Sequence, residues 1–497
     1  MHQIEEEAPP GISRLAVWLV VLALEVGLLV LSQTVIGYRD EGLHLLAAQL
    51  INSGKRPYLD FFFQHPPLYA YLNALCLQIF SPSWRGPHAL AALLSGGAIL
   101  LVAEYVYSRV RMPDWRMPVT IAAAAFMSLN TLAIRFATIS QPYAACLFFG
   151  AASFRLVVAA AETSSGLVSF CAGIAAGAAA ASWLLAAPIA PVLLIWLIWR
   201  TRRGHRIKRC TQFLAGCTVP LLQLLWLTVQ GPRQVFFDLV EFHLFHRWMN
   251  FVPASGVLRW DLDVLTGWIR STQGLLLVGL PILSLTDARK WDTRQRAELY
   301  LCAWLAAGLA VSSACAHPTF AQYFILLTPF VSILAALGLY SLGSSLWPAR
   351  KAGWVVLATV GLFCMHAYQL RPYLYPCWRQ LEAVAQAIDE VVPQTGEFYS
   401  PYESVYFAAR RMPPSGLENN FAAVIRLPQA FATSLHVVHQ SQINEWLKAG
   451  RFAAVLIWAD DPDIESLGLR RVYQQHREVT CYDLRHYIFW DRAPAVK

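Results

Sequence analysis

The sequence predicts a mainly α protein, a polytopic helical membrane bundle of about 11 spans followed by a small C-terminal α/β domain. Composition is the first reason, because 57% of the 497 residues are hydrophobic and only 14% are charged. Soluble proteins carry about 25% charged and about 45–50% apolar residues, so a soluble multidomain protein is excluded. The other reasons are the long apolar segments that recur up to residue 370 and the rise in charge from residue 379 onward.

The first apolar segment, residues 14–36, is expected to stay in the membrane as an anchor and a span. At about 1.5 Å per residue, a helix of this length reaches about 34 Å, which exceeds the ~30 Å hydrocarbon core. The preceding "MHQIEEEAPPGISR" is acidic, and no small-residue cleavage site follows the apolar run. A cleaved signal peptide is therefore not expected.

The remaining spans are placed by hydrophobicity and by the charges between them. Basic residues cluster at 200–209 and 287–296, which the positive-inside bias assigns to the cytoplasm. Nucleic-acid binding would be the alternative in a soluble protein, and between apolar spans no nucleic-acid partner is expected. Counting from these loops places residues 37–87, 232–263 and all residues after 370 outside. The expected apolar segments are 14–36, 66–80, 88–108, 117–134, 142–160, 165–182, 186–199, 211–231, 264–286, 298–314, 321–346 and 353–370.

The first external loop, residues 37–87, is expected to contain two helices on the membrane surface. "EGLHLLAAQLINSG" places apolar residues at i, i+3, i+4 and i+7, the pattern of an amphipathic helix, and Gly54 would end it. Segment 66–80 would be about 22 Å long as a helix, which is too short to cross the core. Pro66 and Pro67 suit its first turn.

Residues 1–378 are predicted to form the membrane domain and residues 379–497 an outer α/β domain. "QSQINEWLKAG" is typical of a helix, while "FAAVLIWA" and "HYIFWDR" are typical of strands. The ten cysteines contain no CxxC and no zinc spacing, so neither a disulfide framework nor a metal finger is implied. Cys377 and Cys481 lie outside the expected spans, and the sequence leaves their pairing open.

An acidic pair, Asp40 and Glu41, follows the first span. Asp40 could be the N-cap of the amphipathic helix, with Glu41 favourable at the positive end of the helix dipole. Alternatively, a carboxylate at the bilayer edge beside a phosphate-binding pocket suits a general base that removes a proton from a hydroxyl. The nearby groups that could hold a phosphate are Arg39, Lys55, Arg56 and His65.

The stretch "RDEGLHLLAAQLINSGKRPYLDFFFQHPPLYAYL" (39–72) resembles the first external loop of the GT-C membrane glycosyltransferases, in the protein O-mannosyltransferase and aminoarabinose transferase-like branch. The order matches: an acidic pair, an amphipathic helix, a basic turn with glycine, then a residue before "PPL". "AHPTFAQYFILLTPFVSILAALGLY" (316–340) is similar to a late span of the family. "SVYFAARRMP" (404–413) and "LKAGRFAAVLIW" (447–458) are similar to its outer domain.

The resemblance implies a reaction and assigns roles. Asp40 matches the acidic catalytic position, and Glu41 is its neighbour. His65 stands where aminoarabinose transferases have a lysine that contacts the donor phosphate, and Gln64 stands where they have a glutamate. The implied reaction transfers a sugar from a polyprenyl-phosphate carrier, with inversion and on the outer face, to a hydroxyl of an acceptor lipid, glycan or protein.

One position departs from the family pattern. The next external loop often carries an Asp before Pro, whereas this sequence has Gln141 before Pro142. Gln141 can hydrogen-bond a sugar or an acceptor, but it cannot supply a negative charge. No cofactor is therefore implied, and a divalent metal site held by carboxylates would lack the acid of this loop.

Three further residues and one segment are candidates with structural alternatives. Arg135 could reach the donor phosphate or anchor its helix at the interface. His317 and Tyr323, at an outer span end, could contact the donor. Within "EFHLFHRWMN" (241–250), His243 and His246 could bind a metal together with Glu241, or could belong to a solvated helix face.

The prediction is an integral membrane glycosyltransferase, with the membrane lipid around it and its active site and C-terminal domain outside a bacterial inner (plasma) membrane. A non-catalytic relative that acts as a binding or assembly subunit is the first alternative, because Gln141 replaces an acid. A lipid or sugar transporter is the second, and it would require broken helices with polar sites at the membrane midplane.

Overall fold

The computed structural model describes residues 12–34, 36–110, 112–163, 165–247, 256–369, 377–419, 422–423, 425 and 427–491. The α-helices are α1 (Ile12–Ser32), α2 (Glu41–Asn52), α3 (Leu68–Phe80), α4 (Arg85–Arg109), α5 (Pro113–Ser128), α6 (Thr131–Phe136), α7 (Tyr143–Thr163), α8 (Gly166–Ser182), α9 (Ile189–Arg200), α10 (Arg206–Gln230), α11 (Pro232–Phe236), α12 (Val257–Arg270), α13 (Thr272–Thr286), α14 (Thr293–Ala314), α15 (Thr328–Leu346), α16 (Ala352–Gln369), α17 (Cys377–Val391), α18 (Glu403–Ala408), α19 (Gln429–Ser434), α20 (Gln440–Lys448), α21 (Asp463–Ser466) and α22 (Leu469–Val472). A π-helix spans Phe237–His246, and 3-10 turns span Leu184–Ala186, Arg203–His205, Asp287–Lys290, Ala321–Leu327 and Ala349–Lys351. The strands are β1 (Phe398–Tyr399), β2 (Ala454–Trp458), β3 (Gln475–Cys481) and β4 (Leu484–Trp490).

The chain is an integral membrane protein with a helical bundle. Among the described residues, seven helices are long and apolar enough to cross a membrane, or eight if one bent pair counts as a span. The sequence-based number of about 11 also includes shorter apolar helices. Two of these are 166–182 and 184–200, and the number of spans stays a prediction.

Two segments that hydrophobicity predicts as continuous are interrupted by short polar side chains. The segment 117–134 is divided between α5 and α6, where the Asn130 side chain accepts a hydrogen bond from the Leu132 backbone N–H at 2.9 Å. The segment 264–286 begins inside α12, and the chain bends by 74° before α13, whose N-cap is Ser271. Such residues satisfy the free N–H groups of a new helix, so a helix can restart within an apolar run.

Helices α8 and α10 pack closely because both carry glycine at their contact. A Cβ atom added at Gly173 would lie 2.0 Å from the Phe213 carbonyl oxygen, and one added at Gly216 would lie 2.1 Å from the Phe170 carbonyl oxygen. Small residues allow helix backbones to approach in this way in membrane proteins.

The C-terminal residues form a four-stranded sheet in the order β1-β2-β4-β3. Strand β1 is parallel to β2, and β2–β4 and β3–β4 are antiparallel. The helix expected at 440–450 and the strands expected at 452–459 and 486–492 are confirmed as α20, β2 and β4. Cys377 and Cys481 are both buried and free.

The sheet region packs on the first loop, whose two expected helices are present as α2 and α3. One hydrophobic cluster contains Leu45 of α2, Trp378 of α17, Val405 of α18 and Ile488 of β4. A Cβ atom at Gly42 would lie 2.5 Å from the Ser404 backbone nitrogen, so α2 and α18 approach closely. This packing brings the β3–β4 turn to the end of α2 that begins after Asp40.

Candidate active site

A cavity of about 860 Å³ lies where eight parts of the chain meet. These are the loop before α2 with the first turns of α2, the loop before α3, the start of α7, the turn after α8, the π-helix, the segment from the end of α14 to α15, the start of α17 and the β3–β4 turn. The polar residues of its lining include Arg39, Asp40, His44, Gln64, His65, Gln141, His243, Arg247, His317, Gln322, Tyr323, Tyr482 and Asp483.

A second part of the cavity lining is apolar. It includes Leu184, Leu185, Leu239, Phe242 and Leu244. Leu184 is 40% exposed and Leu244 is 62% exposed, so this apolar lining continues to the outside of the bundle. The cavity therefore joins a polar chamber to a surface that suits hydrocarbon.

Asp40 is half-buried in the cavity wall, immediately before the first residue of α2. It occupies the N-cap position, but its side chain makes no capping hydrogen bond, so the simple capping role is excluded. Burial raises the pKa of the Asp40 carboxyl to about 6, and the guanidinium groups of Arg39 and Arg247 oppose part of this rise. The carboxyl is thus poised to exchange a proton near neutral pH.

Glu41 is fully buried and does not belong to the cavity lining. Its carboxylate accepts hydrogen bonds from the Tyr38 N–H at 3.0 Å, the Ser140 N–H at 3.3 Å and the Trp378 indole N–H at 2.9 Å. It is also 2.7 Å from Nε2 of His88. Through these partners, Glu41 connects the loop before α2 to α4, to the loop before α7 and to α17. Direct substrate binding by Glu41 stays a prediction.

The loop before α3 is held by hydrogen bonds to its backbone. Tyr58, at a φ of +67°, donates from its hydroxyl to the His65 carbonyl at 2.6 Å. The buried Asp238 carboxylate accepts from the Phe63 N–H at 2.8 Å. Asp238 lies on the π-helix, a rare conformation that is frequent at functional sites. The backbone of the loop is therefore held at Phe63 and at His65.

Gln64 is fixed on both its backbone and its side chain. The Nε2 atom of His243 donates to the Gln64 carbonyl at 2.7 Å, and the Asn419 side-chain amide donates to the Gln64 side-chain oxygen. Gln64 is 6% exposed and lines the cavity. Its amide N–H₂, which donates to no group in the part of the chain that the structure describes, is thus oriented by its neighbours.

His65 is the centre of a stack of three rings. Its ring lies 4.5 Å from that of Trp183 and 5.0 Å from that of His44, at interplanar angles of 21° and 29°. Burial lowers the pKa of His65 well below its usual value and lowers the pKa of His44 to about 3. The lowered pKa favours the neutral ring, His65 lines the cavity as expected, and its contact with the donor phosphate stays a prediction.

Arg247 supplies a cation inside the cavity that the sequence analysis did not assign to the site. It follows the π-helix and donates to the Pro318 carbonyl at 2.9 Å and to the Tyr323 hydroxyl. Its guanidinium carbon is 5.4 Å from the centre of the Tyr323 ring. These contacts direct the guanidinium towards the wall that also carries His317.

Two of the cations expected near Asp40 point elsewhere. Lys55 forms an ion pair of 3.0 Å with Glu418, and Arg56 forms one of 2.9 Å with Asp60. Neither is part of the lining, whereas Arg39 is. Of the group Arg39, Lys55, Arg56 and His65, the members that border the cavity are Arg39 and His65.

Of the other predicted site residues, three line the cavity and one does not. Gln141, His317 and Tyr323 line the cavity together with Asp40. Arg135 does not, and its guanidinium lies 5.2 Å from the ring centre of Tyr38. A phosphate contact by Arg135 is thus unsupported by its position.

The metal site considered on the π-helix is not assembled. Glu241 pairs with Arg233, and His243 is directed to the Gln64 carbonyl. Across the described ranges, no three His, Cys, Asp or Glu side chains come together to form a metal-binding group.

The fold is similar to that of known membrane glycosyltransferases. ArnT from Cupriavidus metallidurans, solved bound to undecaprenyl phosphate, aligns with a TM-score of 0.64 at 16% identity, over 95% of this chain and 97% of that chain. Its apo structure aligns with a TM-score of 0.64 at 14% identity, over 96% and 98%. AglB, an oligosaccharyltransferase from Archaeoglobus fulgidus in complex with an inhibitory peptide and a dolichol-phosphate, aligns with a TM-score of 0.52 at 13% identity, over 96% and 75%.

No protein-family model matches the sequence, and no curated protein sequence matches it significantly. At these identities the structural likeness defines the fold, which is the GT-C fold of membrane glycosyltransferases. The resemblance seen in the first loop is thereby confirmed at the level of the fold.

Proposed function

We propose that this protein is a membrane glycosyltransferase that moves a sugar from a polyprenyl-phosphate donor to an acceptor hydroxyl, with inversion. The observation that carries the proposal is Asp40, a half-buried carboxyl with a pKa near 6 inside a cavity whose lining is partly polar and partly apolar. A general base works best when its pKa lies close to the operating pH, because it must be ionised and still accept a proton. The GT-C fold supports the same reaction class.

A lipid-phosphate donor has an apolar chain and a charged head, which match the apolar and the polar parts of the cavity lining. The apolar residues, which reach the surface at Leu184 and Leu244, suit the isoprenoid chain. Arg247 is in position to bind the phosphate and to stabilise the negative charge that grows on it as the sugar departs. A cavity of about 860 Å³ has the size range of a small-molecule site, about 300–1,000 Å³.

In the proposed step, the acceptor oxygen attacks the anomeric carbon from the side opposite the phosphate. A new carbon–oxygen bond forms while the bond from the anomeric carbon to the phosphate oxygen breaks. The hydroxyl proton passes to the Asp40 carboxylate, and polyprenyl phosphate leaves with the bonding electrons. Gln64 and Gln141 can hydrogen-bond the sugar or the acceptor without adding charge.

The proposed setting is the bacterial inner membrane, with the cavity and residues 379–497 on the extracytoplasmic side. The charges between the apolar segments support this orientation, because the basic clusters at 200–209 and 287–296 would then face the cytoplasm. The acceptor in this proposal is a lipid, a glycan or a protein hydroxyl that reaches the cavity from the outer side.

The test is sugar transfer and sugar release from a panel of radiolabelled polyprenyl-phosphate sugars by the purified protein. Asp40→Asn is expected to bind the carrier and to lose turnover, while Asp263→Asn, an exposed acid of α12, is the matched control and keeps it. Equal turnover in wild type and Asp40→Asn would remove Asp40 from the mechanism.

A binding or assembly role remains a second candidate because Gln141, in place of an acid, lines the cavity. Carrier binding without turnover of any sugar in the panel would favour that role. Movement of the intact lipid-linked sugar across a vesicle membrane, without transfer, would favour a transporter.

A further inference from the structure

The turn from the end of α9 into α10, residues 200–208, carries a dense group of cations, and we call it the basic loop. Arg200, Arg202, Arg203 and Lys208 are all exposed. In the part of the chain that the structure describes, no acidic side chain pairs with any of them. These positive charges therefore face outward without a counter-ion from the protein.

Exposed arginines of the C-terminal sheet region have acidic partners, unlike those of the basic loop. Arg470, Arg477 and Arg485 form ion pairs with carboxylates at 3.3, 2.7 and 3.4 Å. The charges of the basic loop are instead available to an anion from outside the protein.

The start of α10 is fixed beside the end of α7. Arg209 is buried and donates to the Ala160 carbonyl at 2.9 Å. Glu162 is an acid of the last turn of α7, but it already pairs with Arg109 and Arg294. The bundle thus holds the basic loop in place and leaves its charge uncompensated.

The exposed side of α10 places the basic loop at the level of lipid headgroups. Ile207, Leu214, Leu222, Leu225 and Trp226 recur on one side of this helix and are exposed. From Ile207 to Trp226 the helix rises about 28 Å, at about 1.5 Å per residue, which is close to the ~30 Å hydrocarbon core. Since an exposed apolar face of this length suits lipid, the cations before and after Ile207 lie where the core ends.

Two exposed apolar side chains stand among the cations. Trp199 precedes Arg200 and is 68% exposed, and Ile207 precedes Lys208 and is 81% exposed. The centre of the Trp199 ring lies 5.4 Å from that of Trp304 on α14, and tryptophan is typical of the boundary between headgroups and acyl chains. The surface therefore suits a ligand with a negative head and apolar chains better than a water-soluble acidic partner.

The basic loop lies at the ends of α9 and α10 that are remote from the cavity. Helix α9 begins shortly after Leu184, which lines the cavity, and ends at Arg200. Helix α10 ends at Gln230, whose side-chain oxygen accepts from Arg56 of the loop before α3 at 2.9 Å. A ligand of the basic loop is therefore distinct from the ligands of the cavity.

We propose that the basic loop is a binding surface for anionic phospholipids. Arg202, Arg203 and Lys208 bind the phosphate groups, while the acyl chains lie along Trp199 and Ile207. A guanidinium donates two parallel N–H groups to phosphate oxygens, and the Lys208 ammonium adds a point charge. The inference does not depend on the proposed function, because the two sites lie at opposite ends of α9 and α10.

The number of charges sets the size of the expected preference. Each Lys or Arg close to an anionic lipid surface strengthens binding by about fivefold, so three of them give up to about a hundredfold over a zwitterionic lipid. The preference should weaken as salt is added, because exposed charges are screened. A bound lipid should also raise the Tm, since it binds the folded protein.

The test is native mass spectrometry of the full-length protein in neutral detergent, titrated with dioleoyl phosphatidylglycerol or dioleoyl phosphatidylcholine. These two lipids have the same acyl chains, but the first is anionic and the second is zwitterionic. Wild type is expected to bind phosphatidylglycerol about tenfold to a hundredfold more tightly, and the difference should shrink as the concentration of ammonium acetate rises.

Two variants separate the headgroup contacts from the chain contacts. The triple variant Arg202→Gln, Arg203→Gln and Lys208→Gln should bind both lipids equally and lose the rise in Tm that phosphatidylglycerol gives to wild type. Ile207→Gln should weaken the binding of both lipids by a similar factor, because it removes apolar contact and leaves the charges. All four positions are exposed, so the fold is expected to be kept.

The matched control removes the same amount of charge from another exposed surface. The triple variant Arg470→Gln, Arg477→Gln and Arg485→Gln should keep the preference for phosphatidylglycerol and its salt dependence.

The same preference for phosphatidylglycerol in wild type and in the basic-loop triple variant would overturn the inference, and so would a wild type without a preference. Displacement of phosphatidylglycerol by an equal concentration of sn-glycerol 3-phosphate or of a short glutamate peptide would also contradict it. A free anion or an acidic protein segment would then fit the surface better than a lipid. These outcomes leave the proposed function standing, since that function is tested by turnover of the donor.

Discussion

The carboxylate of Glu41 lies 2.7 Å from Nε2 of His88, and both side chains are fully buried. The adjacent Asp40 makes no capping hydrogen bond and faces the cavity instead. These two neighbouring acids thus have different surroundings: Glu41 is surrounded by hydrogen-bond donors, whereas Asp40 lies in the cavity near cationic groups. The surroundings of Asp40, and not those of Glu41, leave a carboxyl available for proton transfer.

The pH dependence of turnover should report Asp40. Its pKa is raised to about 6, and a base must be ionised to act, so kcat/KM should fall as the pH is lowered through about 6. The measurement is a pH–rate profile from pH 5 to 8 with any donor that turns over. A profile without an acidic limb in this range would contradict the assignment of Asp40.

Stability should change in the opposite direction from activity when Asp40 is replaced. The folded-state pKa of about 6 lies above the usual value of 3.8, so the ionised carboxyl lowers stability above about pH 6, and this cost disappears below about pH 4. Asp40→Asn should therefore raise the free energy of unfolding at pH 7.5 by about 1–3 kcal/mol, since one pKa unit corresponds to about 1.4 kcal/mol. Thermal unfolding in detergent at pH 7.5 and pH 4 measures this, and a lower Tm of Asp40→Asn at pH 7.5 would argue against it.

Replacement of Glu41 should lower the free energy of unfolding, whereas replacement of Asp40 should raise it. Glu41→Gln places an amide N–H₂ among three N–H donors and His88, so at least one buried donor loses its acceptor. The expected loss of unfolding free energy is about 2–4 kcal/mol, with activity reduced in proportion to the folded fraction. Melting curves of Glu41→Gln beside Asp40→Asn provide the comparison. A Tm of Glu41→Gln equal to that of wild type would show that the network does not hold the fold.

Arg247 should affect both donor binding and the pKa of Asp40. Arg247→Met removes the positive charge, so KM for the donor should rise about tenfold or more. The acidic limb of the pH profile should also move to higher pH, because the guanidinium lowers the pKa of Asp40. Arg247→Lys keeps the charge but not the planar fork, and should recover part of both effects. Arg259→Met, an exposed residue of α12, is the control, and a change in KM without movement of the acidic limb would contradict the coupling to Asp40.

The sequence was sufficient to predict the helical membrane bundle, since hydrophobicity alone reports spans, and to predict α20, β2 and β4 in the C-terminal sheet. It also selected residues from distant segments that line one cavity, such as Asp40, Gln141 and His317. The resemblance to a known family was necessary for selecting Asp40 and Gln141, whereas His317 was selected by its place at an outer span end.

Other features depend on geometry that a sequence pattern does not report. Arg247 reaches the cavity from the end of a π-helix, which rotates the residues away from the faces that a period of 3.6 predicts. Burial lowers the pKa of His65, and the rings that stack on it belong to Trp183 and His44, which no sequence pattern connects to it. Lys55 turns away because Glu418 of the C-terminal region binds it.

The catalytic role of Asp40 is best tested by turnover of lipid-phosphate sugars in wild type and Asp40→Asn, with farnesyl phosphate binding measured on the same preparations. If Asp40 is the base, wild type transfers sugar, Asp40→Asn loses at least about a hundredfold in rate, and the carrier binds as in wild type or more tightly. Equal rates for the two proteins would show that Asp40 is not the base and would contradict the proposed mechanism.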